Sequence, residues 1–93
     1  ELEAVHFLNS LGFDTHRTAQ HCGMSGTADI EGIEGVHIEV KRNEHLNVEN
    51  ALRQAERDTA GGLPIVLHRK NREDWKVTIR ADEFFKLWRN AND

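Results

Sequence analysis

Three residues with the side chains needed for hydrolytic chemistry, Asp29, Glu39 and Lys41, lie close together in this sequence. Between residues 36 and 41, apolar and polar residues alternate, which is typical of a half-buried β-strand. The period of two places Glu39 and Lys41 on one face of that strand, together with His37, and three aliphatic residues on the other face. The strand therefore carries its polar groups on a single side.

The residues before this strand predict that Asp29 lies opposite Glu39. They alternate in the same way, and a three-residue loop at residues 33–35 would join the two segments as a β-hairpin. Gly35 supplies the positive φ that such a loop requires. A two- or four-residue loop would break the alternation of faces. In the predicted hairpin the two carboxylates are roughly 5 Å apart, with the ammonium group of Lys41 about 7 Å further along.

Two carboxylates at this distance repel each other, and without a cation one of them is expected to take up a proton. A divalent metal ion removes this difficulty, because carboxylate oxygens, waters and phosphate oxygens form the octahedral coordination that Mg²⁺ prefers. We therefore expect Mg²⁺ as the cofactor, with Mn²⁺ able to replace it. The nearby lysine could orient or deprotonate the attacking water, or stabilise negative charge on a phosphate.

Length and composition predict one domain, spanning residues 1–93, with a single modest core. The chain is 38% hydrophobic and 30% charged, and has no apolar run long enough to span a membrane. A single cysteine, Cys22, and the lack of a signal-peptide pattern favour a cytoplasmic protein, or a phage-encoded one that acts in the host cytoplasm. The net charge of −4 argues mildly against a protein that binds nucleic acid by charge alone.

The periodicity predicts a mixed β-sheet flanked by helices, an α/β (α+β) fold of order αβββαββα. Asn47 is a suitable N-cap for the middle helix, and Gly61 and Gly62 are expected to end it. The continuously apolar strand that follows is expected in the middle of the sheet. The predicted helices span residues 1–11, 48–60 and 82–89, and the predicted strands span residues 13–19, 28–31, 36–41, 63–67 and 75–80.

The last helix carries a broad apolar face with three aromatic residues, Phe84, Phe85 and Trp88. We interpret these side chains as part of the core, and a base-stacking platform is the less favoured interpretation. In the first helix, Glu3 is either a solvated surface carboxylate or a third acidic group directed at the metal. Gln54 lies off the apolar stripe of the middle helix.

The sequence from Asp29 to Lys41 resembles the D-x(n)-E-x-K signature of the PD-(D/E)XK nuclease superfamily: nine residues separate Asp29 from Glu39-Val40-Lys41. The order of elements is similar to that of small archaeal Holliday junction resolvases and related phage nucleases. The likeness covers nearly the whole chain and implies a restriction-endonuclease-like core. One position departs from the pattern, because Ala28 stands where a proline usually precedes the first aspartate.

The resemblance implies a role for several residues. Asp29 and Glu39 would bind the metal through their carboxylates, and Val40 through its backbone carbonyl. Lys41 would be the catalytic lysine. Glu3 matches the helix carboxylate of the resolvases, and Gln54 matches a glutamine that several branches of the superfamily carry.

These expectations lead to a metal-dependent DNA endonuclease that hydrolyses phosphodiester bonds and selects its substrate by DNA structure. Resolvase activity on branched DNA needs a two-fold homodimer, because two strands must be cut symmetrically. No small-molecule cofactor and no membrane partner are expected. The competing interpretations are a non-catalytic DNA-binding or protein-interaction domain with the same fold, and a nuclease module of a larger helicase or restriction enzyme.

Basic residues are the candidates for contacts with DNA phosphates, and an ordinary solvated charged surface is the alternative. No base-reading helix stands out, so recognition of backbone and shape is expected rather than sequence reading. The loop before Asp29 adds one polar candidate, Ser25. The basic candidates are Arg42, Arg53, Arg57, Arg69, Lys70 and Arg72.

Overall fold

The computed structural model describes residues 2–17 and 30–92, and its elements follow the predicted order αβββαββα. The fold is a small α+β fold with three helices and a mixed sheet. The helices are α1 (Leu2–Ser10), α2 (Val48–Asp58) and α3 (Ala81–Ala91). The strands are β1 (His16–Arg17), β2 (Ile30–Glu31), β3 (Val36–Lys41), β4 (Leu63–His68) and β5 (Lys76–Thr78).

The main sheet has three strands in the order β3-β4-β5, so the continuously apolar strand β4 lies in its middle as predicted. β3 and β4 are parallel, and β4 and β5 are antiparallel. The parallel register places Glu39 beside Val66 and Lys41 beside His68. A parallel pair needs a long crossover connection, and here α2 provides it.

The predicted hairpin between β2 and β3 is wrong for the described residues. β2 pairs instead with β1, antiparallel, as a separate two-stranded sheet in which His16 lies opposite Glu31. Gly35 does have the expected positive φ of 84°, but Gly32 also has a positive φ, of 121°. Two such residues redirect the chain, so β3 leaves β2 and pairs with β4. Asp29 lies outside the described residues, and its distance from Glu39 stays a prediction.

The two faces of the main sheet are covered by different helices. α1 packs on one side, where Val5 and Leu8 join Ile38 of β3 and Leu67 of β4 in a buried cluster. α2 packs on the other side, where its buried residues contact Val66. Those residues of α2 are Ala51, Leu52 and Ala55. The predicted sheet flanked by helices is therefore confirmed for α1 and α2.

The start of α2 is fixed by the predicted cap. The side-chain oxygen of Asn47 accepts a hydrogen bond of 3.0 Å from the backbone N–H of Asn50, and Glu49 lies in the first turn, where a negative charge is favourable. The helix ends at Asp58, slightly before the two predicted glycines. The N-cap therefore sets which side chains of α2 face β3.

The prediction that the aromatic residues of α3 belong to the core is wrong. Phe84, Phe85 and Trp88 are 43%, 62% and 60% exposed, and none of residues 81–91 is buried within the described structure. The reason is that α1 and α2 already occupy the two sides of the sheet. α3 is held at its beginning, where Arg80 forms ion pairs with Glu49 and Glu56.

None of the helices in the described ranges is both long and apolar enough to cross a lipid bilayer.

Candidate active site

Three polar side chains of β3 point toward α2. Glu39 lies beside Val66 in the register, and Val66 belongs to the cluster under α2, so His37, Glu39 and Lys41 share the α2 side of the sheet. The sequence alternation predicted this shared face, although it did not predict that the face is covered by a helix.

Glu39 is the central residue of this group and has only 1% of its surface exposed. Its Oε1 atom is buried and has no hydrogen-bond partner in the described part of the chain. Burial raises the pKa of this carboxyl above its ordinary value, and the charge of Asp58 acts in the same direction. The Lys41 charge and the His37 ring oppose this shift. A buried carboxylate with an unpartnered oxygen is costly in isolation, and a bound cation would remove that cost.

Lys41 and His37 lie on opposite sides of the Glu39 carboxylate. The Nζ atom of Lys41 is 3.8 Å from Oε2, and the Nε2 atom of His37 is 3.4 Å from Oε1. Lys41 is one-quarter exposed, so its ammonium group reaches the surface beside the buried carboxylate. The ammonium group of Lys41 therefore lies near solvent, and the carboxyl group of Glu39 lies buried beneath it.

An open groove of about 370 Å³ begins at Lys41 and runs along α2. It brings Lys41 together with two other predicted site residues, Gln54 and Arg57. Asn47, Asn50, Gln54 and Arg57 recur at steps of three and four residues, so they form one polar face of α2. The remaining lining residues are Asn43, Leu46 and Ala51.

A second, larger cavity of about 640 Å³ adjoins this groove, and the two share Asn43, Leu46 and Asn47. Its lining includes two of the predicted phosphate contacts, Arg69 and Lys70. Arg57 in the groove and Arg69 and Lys70 in the larger cavity therefore lie along one continuous surface beside the end of β3.

The carboxylate of Glu3 forms ion pairs with two arginines. It accepts hydrogen bonds from Arg42, at 3.0 Å, and from Arg69, at 2.8 Å. These guanidinium groups, Arg69 foremost, lower the pKa of Glu3 to about 2. Arg69 also lies over the ring of Trp75, at 5.5 Å from its centroid. The predicted third acidic group thus ties α1 to the ends of β3 and β4.

Replacing Glu3 by glutamine should therefore make the protein less sensitive to acid. The pKa of Glu3 is about 2 in the folded protein against an ordinary 4.5, so the stabilisation that it provides is present above pH 4.5 and is lost as the pH falls from there toward 2. We expect Glu3→Gln to flatten the decline of the thermal midpoint across this range, followed by circular dichroism. The exposed Glu73→Gln serves as the control. An unchanged acid profile in Glu3→Gln would mean that the arginine pairs contribute nothing measurable.

The other predicted DNA contacts are scattered or lie outside the described ranges. Arg53 forms an ion pair with Glu49 at 3.2 Å and does not line either opening. Arg72 is exposed in a turn, with a φ of 62°. Asp29 and Ser25 fall in the segment that the structure does not describe.

No family model, curated protein or solved structure matches this chain. Across residues 2–17 and 30–92, no group of three or more His, Cys, Asp or Glu side chains is placed to hold a metal ion. The metal ligands predicted from the sequence are the carboxylates of Asp29 and Glu39 and the backbone carbonyl of Val40, and Asp29 lies outside the described residues.

The sequence reasoning overlooked His37 and Asn50 as candidates. His37 is two positions before Glu39, so the period of two already placed it on the same face. Asn50 is four positions before Gln54, which is the spacing of neighbours on a helix face. Both spacings can be read from the sequence. The contact of His37 with Glu39 and the position of Asn50 in the groove make these two residues candidates.

Proposed function

We propose that this protein is a metal-dependent endodeoxyribonuclease, with a PD-(D/E)XK-like site built on β3 and α2. The single observation that carries the proposal is the buried Glu39: its Oε1 has no hydrogen-bond partner in the described part of the chain, and its Oε2 lies 3.8 Å from the Nζ atom of Lys41, which opens into a polar and basic groove. A structural role alone gives no reason to bury a carboxylate in this state, since an apolar residue would be more stable there.

Glu39 would hold a divalent metal ion with Asp29 and the backbone carbonyl of Val40. When bound, that ion supplies positive charge to the scissile phosphate and lowers the pKa of the attacking water. Lys41 is placed for the complementary role, because its ammonium group can donate to a phosphate oxygen on which negative charge develops. Glu39 in turn keeps Lys41 near the reacting phosphate through their 3.8 Å ion pair.

The groove along α2 is suited to a nucleic-acid backbone. The amide groups of Asn50 and Gln54 can donate hydrogen bonds to phosphate oxygens, and Arg57 and Lys70 add positive charge on either side of Asn43. Contacts of this kind fix the position of a backbone without reading bases. We therefore propose structure-selective recognition, with branched DNA of the Holliday-junction type as the substrate.

A two-fold homodimer is part of this proposal, because paired cuts in a four-way junction need two sites. The uncovered face of α3, with Phe84, Phe85 and Trp88, is the surface that we assign to it. α3 has acidic residues in its first turn and Arg89 in its last turn. Two antiparallel copies would therefore place opposite charges together at both ends of the contact.

The proposed function is tested by cleavage of an end-labelled four-way junction beside a linear duplex of the same sequence. We expect wild-type protein to cut the junction with Mg²⁺ or Mn²⁺ and not with EDTA. Lys41→Met should reduce cleavage at least about 100-fold, because it removes the charge beside the reacting phosphate. Lys86→Met is the matched control, since Lys86 lies away from the groove in an exposed pair with Glu83. Because Lys86 also lies on α3, the helix assigned to the dimer, light scattering of this variant must show the same oligomeric state as wild type.

The outcomes separate the parts of the proposal. Paired symmetric cuts in the junction, from a dimer measured by light scattering, support the resolvase version. Cutting of both substrates keeps the nuclease and removes junction selectivity. Metal-dependent cleavage that survives in Lys41→Met contradicts the assigned site. No cleavage with either ion would favour a non-catalytic DNA-binding domain.

A further inference from the structure

We propose that the larger cavity beside the groove receives a single unpaired nucleobase of the DNA strand whose phosphates lie along α2. The inference rests on the proposed function, because that function places a strand in the groove. It deepens that function by naming what the substrate must carry, which is a base free to leave the stack. The volume of the cavity, about 640 Å³, lies within the range of roughly 300 to 1,000 Å³ that small-molecule sites occupy.

The guanidinium group at the cavity wall is already engaged by the protein itself. Arg69 donates two hydrogen bonds to the carboxylate of Glu3. It donates two more to the backbone carbonyls of Lys70 and Glu73, so nearly all of its N–H donors are in use. The group also lies over the ring of Trp75, at 5.5 Å from its centroid. Arg69 therefore stabilises the wall of the cavity and has little left to offer a phosphate.

The other charged groups of the cavity are mostly satisfied in the same way. The Nζ atom of Lys76 lies 3.5 Å from Oε1 of Glu73. The carboxylate of Glu44 accepts a hydrogen bond of 2.7 Å from the backbone N–H of Asn71. Of the charged lining residues, only Lys70 has a side chain without a hydrogen bond or ion pair in the described part of the chain. The chemistry of the cavity therefore suits a neutral ligand better than an anion.

The adjoining groove has the opposite character. The side chains of Asn50, Gln54 and Arg57 have no hydrogen-bond or ion-pair partner within residues 2–17 and 30–92. Free amide and guanidinium donors of this kind bind phosphate oxygens. The two openings share a wall that includes Asn43 and Asn47, so a strand whose phosphates lie in the groove passes the mouth of the cavity.

The uncharged part of the lining provides the surfaces that a nucleobase needs. Leu46 and Val48 are half-buried and apolar, and His68 adds an aromatic ring. The Nε2 atom of His68 lies 2.9 Å from Oγ1 of Thr78, and burial lowers the pKa of the ring, which favours its neutral form at pH 7. Flipped bases are held by apolar and aromatic side chains and by hydrogen bonds to their polar edges, for which the carboxamide of Asn43 is available.

The base is expected to be unpaired, because extrusion of a base from a duplex costs its stacking and its pairing. This cost is smallest for a base that is already unpaired or mismatched. A base at a branch point also has fewer stacking neighbours than a base within a linear duplex. The cavity therefore gives a physical reason for a preference for branched DNA.

The first experiment uses wild-type protein in EDTA, so that binding is measured without cleavage. The probe is a four-way junction with one unpaired 2-aminopurine at the branch point, and a second junction has an abasic site there with the same number of phosphates. We expect the fluorescence of the 2-aminopurine to rise on binding, because the cavity lining contains no tryptophan or tyrosine to quench it. The abasic junction should bind about 10-fold more weakly. Neither measurement depends on the folding of a variant.

Val48→Phe tests the cavity by filling it. We expect this variant to bind the 2-aminopurine junction about 10-fold more weakly, with an unchanged salt dependence and no loss on the abasic junction. Val77→Phe is the matched control, because Val77 is 53% exposed on β5 and lines neither opening. Arg57→Met should instead lower the slope of log affinity against log salt concentration by about 1 with both junctions.

The remaining outcomes separate this inference from the nuclease proposal. An abasic junction that binds as tightly as the intact one, or a reduced salt slope in Val48→Phe, overturns the inference. Equal affinity for free 2-aminopurine riboside and for the junction assigns the cavity to a free nucleoside and also overturns it. Metal-dependent cleavage without these binding signals keeps the nuclease and removes the inference. The same signals in a protein that cuts no DNA keep the inference and remove the nuclease.

Discussion

Glu39→Gln is expected to raise the thermal stability of the metal-free protein at neutral pH and to reduce metal-dependent cleavage at least about 100-fold. Both effects have one cause. The side chain is buried, and burial disfavours its charged form, as the raised pKa indicates. Glutamine has nearly the same shape without the charge, so the gain should be about 1 kcal/mol. The same substitution removes the carboxylate that the metal needs.

Thermal unfolding in EDTA and cleavage of the labelled junction measure the two effects on the same preparation. Glu31→Gln provides the control, because Glu31 is an exposed carboxylate that also contacts a histidine. It should change neither stability nor cleavage appreciably. A Glu39→Gln variant that cuts DNA at the wild-type rate removes the proposed site. A clear loss of stability would mean that the pair with Lys41 outweighs the burial of the charge.

Gly32→Ala is expected to be the most destabilising small substitution in the described chain, by about 3 kcal/mol or more. Gly32 has a φ of 121°, in a region that L-residues rarely adopt. A Cβ atom there would overlap the carbonyl oxygen of Asp14 and lie 2.8 Å from the Cα atom of Thr15. Both obstacles are backbone atoms, so no side chain can move aside to relieve the contact.

Gly35→Ala separates the two parts of this cost. Gly35 also has a positive φ, of 84°, but a Cβ atom there would meet nothing within 4 Å. Only the conformational cost remains, and we expect a loss of about 1 kcal/mol. Urea unfolding of the two variants gives the comparison. Equal losses would show that the close approach of Gly32 to the residues before β1 is not maintained in solution.

The sequence predicted those parts of the fold that depend on local pattern. The order of elements, the cap at Asn47 and the central position of β4 all follow from periodicity, capping chemistry and a continuous apolar run. The shared face of Glu39 and Lys41 follows from the alternation along β3. Each of these predictions rests on residues that are close together in the sequence.

The incorrect predictions concern partners that are distant in sequence. Alternation along β3 shows which side chains share a face, but it does not show that the strand pairs with β4 and not with β2. The apolar stripe of α3 likewise shows which of its side chains share a face, but it does not show whether another element packs against that face. Glu3 was open to two interpretations because its arginines are 39 and 66 residues away, beyond the reach of any helical or strand period.

The continuous β3-α2-β4 unit has a consequence for how this site can change during evolution. His37, Glu39, Lys41 and the groove-lining residues Gln54 and Arg57 all lie within residues 37–57. One short coding segment therefore specifies most of the proposed chemistry, and among the proposed metal ligands only Asp29 is encoded before it. Substitutions in this segment that depend on one another are encoded close together, so they tend to be inherited together. Selection can thus alter metal preference or substrate shape while the sequences of α1, β5 and α3 vary independently.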